Sequence, residues 1–170
     1  MRYEKTVTLA NEKSHNRIIF PEKLFDGNIV GIYKFFKCKE REKFCFYIGK
    51  STNVALRLFG ASGGHIYMYA HDNCTLLVPE KINEYLNEDK KIHIEIEIEE
   101  IDYKDTKFTR AAHRLALAEL QEIVKYQKMG QCLFQMPDGV GEYEKKFWEK
   151  NYMKPTSENL LSEEQIKALI

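Results

Sequence analysis

The chain has 170 residues, 44% hydrophobic and 31% charged, with a formal net charge of zero. One domain with its own core, spanning 1–170, is the simplest organisation for such a composition. The opening MRYEKTVTLANEK lacks an apolar h-region, no run approaches a membrane span, and the cysteines at 38, 45, 74 and 132 show no CxxC spacing. A membrane protein, a disulfide framework and a zinc site are therefore not expected, and a cytoplasmic location is.

The zero sum hides an asymmetry. Residues 1–60 hold 12 basic and 6 acidic side chains, residues 61–105 hold 4 and 11, and residues 106–170 hold 10 and 9. This suggests either a basic face for a polyanion with an acidic face turned away, or a solvated surface of uneven charge.

In chain order, 3–10 alternates weakly, as an edge strand would. Residues 16–28 contain a proline and an Asp-Gly pair and read as a lead-in loop. Residues 29–36 (IVGIYKFF) and 43–48 (KFCFYI) are β-branched and aromatic, and the charged connection between them suits a hairpin. Ser51 or Asn53 is placed to cap a short helix, NVALRLF, which the glycines of 60–64 end. Residues 65–78 are ambiguous, and a helix is expected from Pro79 to Asn87.

Residues 91–101 (KIHIEIEIEEI) give the cleanest period of two. Ile92, Ile94, Ile96 and Ile98 would face the core, with His93, Glu95, Glu97 and Glu99 on a wet acidic side. Residues 106–129 form the strongest helix pattern, closed by Gly130. Glu119 falls inside its apolar stripe, between Ala112, Leu115, Ile123 and Tyr126, with Leu117, Leu120 and Val124 widening the buried face. A carboxylate there needs a partner or a cation. Glu122 lies nearer the edge and would reach water more easily. Residues 141–154 suggest an amphipathic helix, and Ser162 with Gln165 a capping box for a last one.

Tyr33, Tyr47, Lys50, Arg57 and Glu119 form a chemically coherent set. Arg and Lys grip phosphate. A lone carboxylate with waters suits magnesium. A phenol beside cations loses its proton more readily than at its free pKa of about 10. Such a set suffices to hydrolyse a phosphodiester. A P-loop is excluded because Phe44 stands where Gly49-Lys50-Ser51 would need a glycine. Taken one at a time, these tyrosines and this arginine are more usually packing and surface residues.

Gly31-Ile32-Tyr33, Tyr47-Ile48-Gly49-Lys50-Ser51 and Arg57, ten residues past Tyr47, resemble the GIY-YIG nuclease superfamily. Residues 118–123 (AELQEI) resemble the helix bearing that family's metal-binding glutamate. The resemblance implies an α+β fold, with a small mixed sheet and hairpin flanked by helices. Its core would cover about 29–135, with an arm at 1–28, an insertion around 60–88 and a helical extension over 136–170. It implies magnesium-dependent DNA cleavage, with Mn2+ able to substitute, leaving 5′-phosphate and 3′-hydroxyl ends.

In that scheme Tyr33 is the general base, Tyr47 orients water or phosphate, and Lys50 lowers a tyrosine pKa. Arg57 binds the scissile phosphate and Glu119 ligates the metal. His65 is the nearest match to a histidine that many members carry after the helix arginine, since residue 61 is alanine. Gln131 stands near an expected asparagine. Lys34, Ser51, Asn53, Gln131, Lys145 and Lys146 are candidate DNA contacts, and 60–74 and 131–154 are candidate groove readers.

The compact layout is most similar to a type II restriction endonuclease. Such an enzyme would act on double-stranded DNA, as a homodimer or one strand at a time, beside a separate cognate DNA methyltransferase. A less specific repair or mobile-element nuclease, a non-catalytic DNA-binding module and a non-nuclease α+β protein are the alternatives.

Overall fold

The protein is an α+β fold in the computed structural model, which describes residues 4–6, 17–132, 134–135, 146, 150–151 and 161–167. Its strands are β1 (Glu4–Thr6), β2 (Ile18–Pro21), β3 (Gly31–Lys39), β4 (Glu42–Ser51) and β5 (Ile92–Glu100). They form one mixed sheet in the order β1-β2-β5-β3-β4, in which only β2 and β5 run parallel. The helices are α1 (Val54–Phe59), α2 (His65–Ala70), α3 (Leu77–Glu88), α4 (Phe108–Lys128) and, among the described residues, a short α5 (Glu163–Lys167). No helix among the described residues is long and apolar enough to cross a membrane.

β3 is central, paired on both sides, and its first eight residues are all buried. One face of the sheet packs under α1, α2 and α3 around Phe35, Phe44, Phe46, Ile66, Ile82 and Tyr85. The other face meets α4 and the C-terminal segment around Phe36, Cys45, Ile48, Tyr126 and Leu161. Between β3 and β4 the register slips: Phe35 faces Tyr47 but Phe36 faces Cys45, leaving Phe46 as the extra residue. This bulge re-aims β4. Tyr47 joins Tyr33 on the α1–α3 side, whereas Cys45 packs on the α4 side.

The lead-in expected over 16–28 is instead partly strand. Ile18 and Phe20 are buried, and Ile18 sits opposite Ile94 of β5. Pro21 is tolerated because it ends the strand. The core therefore reaches back to residue 18, beyond the boundary set at 29. The ambiguous stretch at 65–78 contains α2, and the region expected as an insertion contributes Ile66, Tyr69, Val78, Ile82, Tyr85 and Leu86 to the main core.

Other expectations hold in detail. Asn53 Oδ1 accepts from Leu56 N at 2.9 Å and caps α1. Gly130 closes α4 with φ +74°, and Gln131 N donates back to Tyr126 O at 2.9 Å. Ser162 N donates to Gln165 Oε1 at 2.9 Å while Gln165 N donates to Ser162 Oγ at 3.3 Å, a reciprocal capping box. Of the edge strand expected over 3–10, Glu4–Thr6 is strand; the rest, and nearly all of 141–154, lie outside the described residues.

The charge asymmetry resolves inside the fold. β5 lies beside β3, so acidic and basic segments meet across the sheet. Lys34 pairs with Glu122 at 2.7 Å and Glu99 at 3.5 Å, Lys37 with Glu88 at 2.7 Å, and Lys43 with Glu95 and Glu97. The outer face of β5 is thus less wet than alternation implies, with the Glu95 side chain only 16% exposed. Among the described residues, five lysines of 1–60 (Lys34, Lys37, Lys39, Lys43 and Lys50) are paired with carboxylates of the fold.

Candidate active site

The two glycines of the paired triplets have steric causes. A β-carbon at Gly31 would collide with the backbone carbonyl of Glu99 on β5. One at Gly49 would stand 2.5 Å from the Tyr33 hydroxyl oxygen and 2.6 Å from the ring carbon bearing it. Gly49 faces Tyr33 in the register, so its missing side chain leaves a slot into which the phenol folds. The ring centroids of Tyr33 and Tyr47 lie 6.3 Å apart at 30°, which sets the two phenols side by side.

α1 and α2 bring two further groups to these phenols. Arg57 Nε donates to the Tyr33 hydroxyl at 3.3 Å, and the guanidinium is near enough to Tyr47 to act on its pKa. Its Nη1 reaches Gly63 O at 3.5 Å. His65, at the first position of α2, places Nε2 3.1 Å from the Tyr33 hydroxyl. Its Nδ1 is the one buried side-chain nitrogen or oxygen without a partner among the described residues. Arg57, Ser51, Asn53, Leu56, Ser62 and Gly63 line an open cleft beside this group.

Burial pushes the Tyr33 phenol well above its ordinary pKa; Tyr47 and Glu119 push the same way, and Arg57 opposes them. Tyr47 is also raised by burial, with Arg57 lowering and Glu119 raising it. Both are neutral phenols in this state. Lys50 turns its ammonium to Glu119 on the α4 side of β4 and is not one of the leading influences on either phenol. His65 is held down to about 3 by burial and by Arg57. Its imidazole is neutral, so the tautomer decides whether Nε2 accepts or donates towards Tyr33.

Glu119 projects from α4 towards the end of β4, and its Oε2 forms an ion pair with Lys50 Nζ. The carboxylate side chain is 17% exposed, and Oε1 has no partner among the described residues. It lies close enough to both phenols for its charge to raise them. The reason for its burial differs from the wheel pattern. Leu117, Leu120 and Val124 are exposed, whereas Ala111, Leu115 and Tyr126 are buried. The seam of α4 facing the sheet is thus polar at its centre. Two sheet lysines claim its two carboxylates, Lys50 taking Glu119 and Lys34 taking Glu122. Glu122 is as covered as Glu119, at 17% exposure, and does not extend to water.

The candidate DNA contacts separate. Ser51 and Asn53 line the cleft, though Ser51 Oγ donates to Asn53 O at 2.9 Å and Asn53 Oδ1 is occupied as a helix cap. Lys34 is buried under its carboxylates and cannot meet a phosphate without breaking both pairs. Gln131 is fully buried and accepts from the Cys45 backbone N–H at 2.6 Å, so it is out of reach of DNA. Lys146 is exposed, and Lys145 lies outside the described residues.

Sequence reasoning missed Gln135. Its Oε1 accepts from Ile48 N at 2.9 Å and its Nε2 donates to Ile48 O. Gln131 and Gln135 thereby satisfy the open edge of β4 as a neighbouring strand would. Their four-residue spacing after a helix cap was the available signal. Comparison with protein-family models, with curated proteins and with solved structures returns no match for this chain.

Proposed function

We propose that the protein is a metal-dependent endonuclease of GIY-YIG type that hydrolyses phosphodiester bonds of double-stranded DNA to 5′-phosphate and 3′-hydroxyl ends. One observation carries the reading: two phenols and a neutral imidazole gather around a guanidinium that lines an open cleft, with an acidic side chain near enough to act on both phenols.

Arg57 is the phosphate-binding group. It lines the cleft and donates to the Tyr33 hydroxyl. Its guanidinium would stabilise the charge that gathers on phosphorus as water attacks and the 3′-oxygen departs. Tyr33 is the candidate base, with Tyr47 beside it to orient water or phosphate. A neutral His65 in its acceptor tautomer would take a hydrogen bond from the Tyr33 hydroxyl and fix the direction of its oxygen, which gives a buried imidazole at that hydroxyl a positioning role.

The donor set fits a hard cation. Glu119 offers a carboxylate oxygen that has no partner among the described residues, and the remaining positions would fall to water and phosphate, as magnesium prefers. Magnesium, or manganese in its place, would supply positive charge for the leaving oxygen. Balancing the Glu119 charge would also remove one of the influences that hold both phenols in their neutral form.

The finer reading is a type II restriction endonuclease, acting as a homodimer or on one strand at a time, with a cognate methyltransferase acting separately. It is supported by the Gly-rich turn and α2 beside the cleft, which suit groove contacts. The test is to digest plasmid DNA with magnesium, with manganese and with EDTA, and to sequence the ends. Discrete metal-dependent fragments with 5′-phosphates are expected. A smear would leave a less specific nuclease. Salt-sensitive binding without cutting would leave a DNA-binding module and end the catalytic reading.

A further inference from the structure

On the opposite face of the sheet from the phenols, the hairpin end gathers three ligand-type side chains. Cys38 of β3 stands directly opposite His93 of β5, and Glu95 follows two residues along on the same face. The Cys38 sulfur, a His93 ring nitrogen and a Glu95 carboxylate oxygen all lie within 4.8 Å of one another, and His93 Nε2 is 3.2 Å from Glu95 Oε1. Ligands around a tetrahedral zinc ion stand about 3.3–3.8 Å apart, so side-chain rotations alone would close the set.

We propose that Cys38, His93 and Glu95 form a binding site for a borderline divalent transition ion, of which Zn2+ is the type. Thiolate, imidazole and carboxylate together select zinc, cobalt or nickel over magnesium, so this site is chemically distinct from the one at Glu119. Three protein ligands leave a fourth position, and the part-exposed His93 side chain gives water a way in.

Lys43 is the resident counter-charge. It faces Cys38 across the β3–β4 pair and holds both Glu95 and Glu97. Lys43 and the two glutamates together leave one negative charge before the ion arrives. When the ion arrives, the sulfur–metal bond replaces the S–H bond and the proton passes to buffer. Glu95 turns from Lys43 to the ion while Glu97 keeps the ammonium, and the cluster becomes neutral. Lys43 therefore keeps the acidic cluster stable when no ion is present. Linear spacing conceals the site, because 38 and 93 meet only through strand register.

The experiment uses the full chain, stripped with EDTA, desalted and titrated with Co2+. One equivalent is expected to bind and give a thiolate-to-cobalt charge-transfer band, which Zn2+ then displaces. Cys38→Ser should abolish the band, and His93→Gln should weaken cobalt binding at least about tenfold, with circular dichroism and melting confirming that both fold. Glu119→Gln should keep the band whether or not the protein cleaves DNA, so the two sites stand or fall separately. Absence of cobalt binding in the wild-type chain, or a thiolate band that survives in folded Cys38→Ser, would overturn the assignment.

Discussion

Tyr33 lies in the slot left by Gly49: a β-carbon at position 49 would come within 2.5 Å of the phenol oxygen. The glycine of the second triplet is thus a steric consequence of the tyrosine of the first. Gly49→Ala is expected to push the ring away from Arg57 and His65. Overpacking of this kind costs about 1–3 kcal/mol of stability. A displacement of about 1 Å at a catalytic group costs on the order of 100-fold in rate. Denaturant melts and cleavage rates check both, and a fully active Gly49→Ala would show that Tyr33 is not held in place by this contact.

Lys50 and Glu119 form an ion pair between β4 and α4. The ammonium occupies one oxygen of the carboxylate that a cation would use. Lys50→Met should therefore bind Mn2+ several-fold more tightly in the absence of DNA, as read by electron paramagnetic resonance. It should lose about 1–2 kcal/mol of stability, since the pair is neither fully exposed nor fully buried. Unchanged Mn2+ affinity would mean that the ion does not use this carboxylate.

Gln131 and Gln135 complete the free edge of β4. Gln131→Leu strands the Cys45 N–H, and Gln135→Leu strands both backbone groups of Ile48. Each should cost about 1–3 kcal/mol and leave the salt dependence of DNA binding unchanged. A flatter salt slope with intact stability would restore Gln131 as a DNA contact.

Acid sensitivity follows from His65. Folding lowers its pKa from 6.5 to about 3 through burial and Arg57. Between those values the unfolded chain binds more protons than the folded one. This contribution to stability is complete above about pH 6.5 and is lost as pH falls towards 3. Its slope is at most about 1.4 kcal/mol per pH unit. His65→Gln should flatten the pH dependence of melting between about pH 6.5 and 5, above the range where most carboxylates titrate. An unaltered profile would show that the imidazole is protonated in the folded state.

The sequence made the hairpin, β5, α1, α3 and α4 legible because each has strong periodicity or a capping residue. Tyr33, Tyr47 and Arg57 stand out by their spacing and Glu119 by its place on the helical wheel, and the fold brings Arg57 to the Tyr33 hydroxyl. The sequence did not show β2, whose four residues are too few for a period to stand out beside a proline. The polar seam of α4 was hidden because a helical wheel ranks faces by apolarity, and here lysines from another element make a carboxylate face buriable. The same limit hid the internal neutralisation of the basic segment, which depends on β5 lying beside β3. The β-bulge that turns Tyr47 towards Tyr33 carries no local mark in KFCFYIG.

The most direct measurement compares wild-type and Glu119→Gln proteins on linear DNA in magnesium, with binding followed in parallel by a mobility shift. The substitution should abolish cleavage while folding and DNA affinity stay within about twofold, because Gln keeps the shape and removes the charge that would hold the cation. Wild-type cleavage rates in Glu119→Gln, or equal cutting by the wild-type protein in EDTA, would contradict a metal-dependent nuclease centred on this carboxylate.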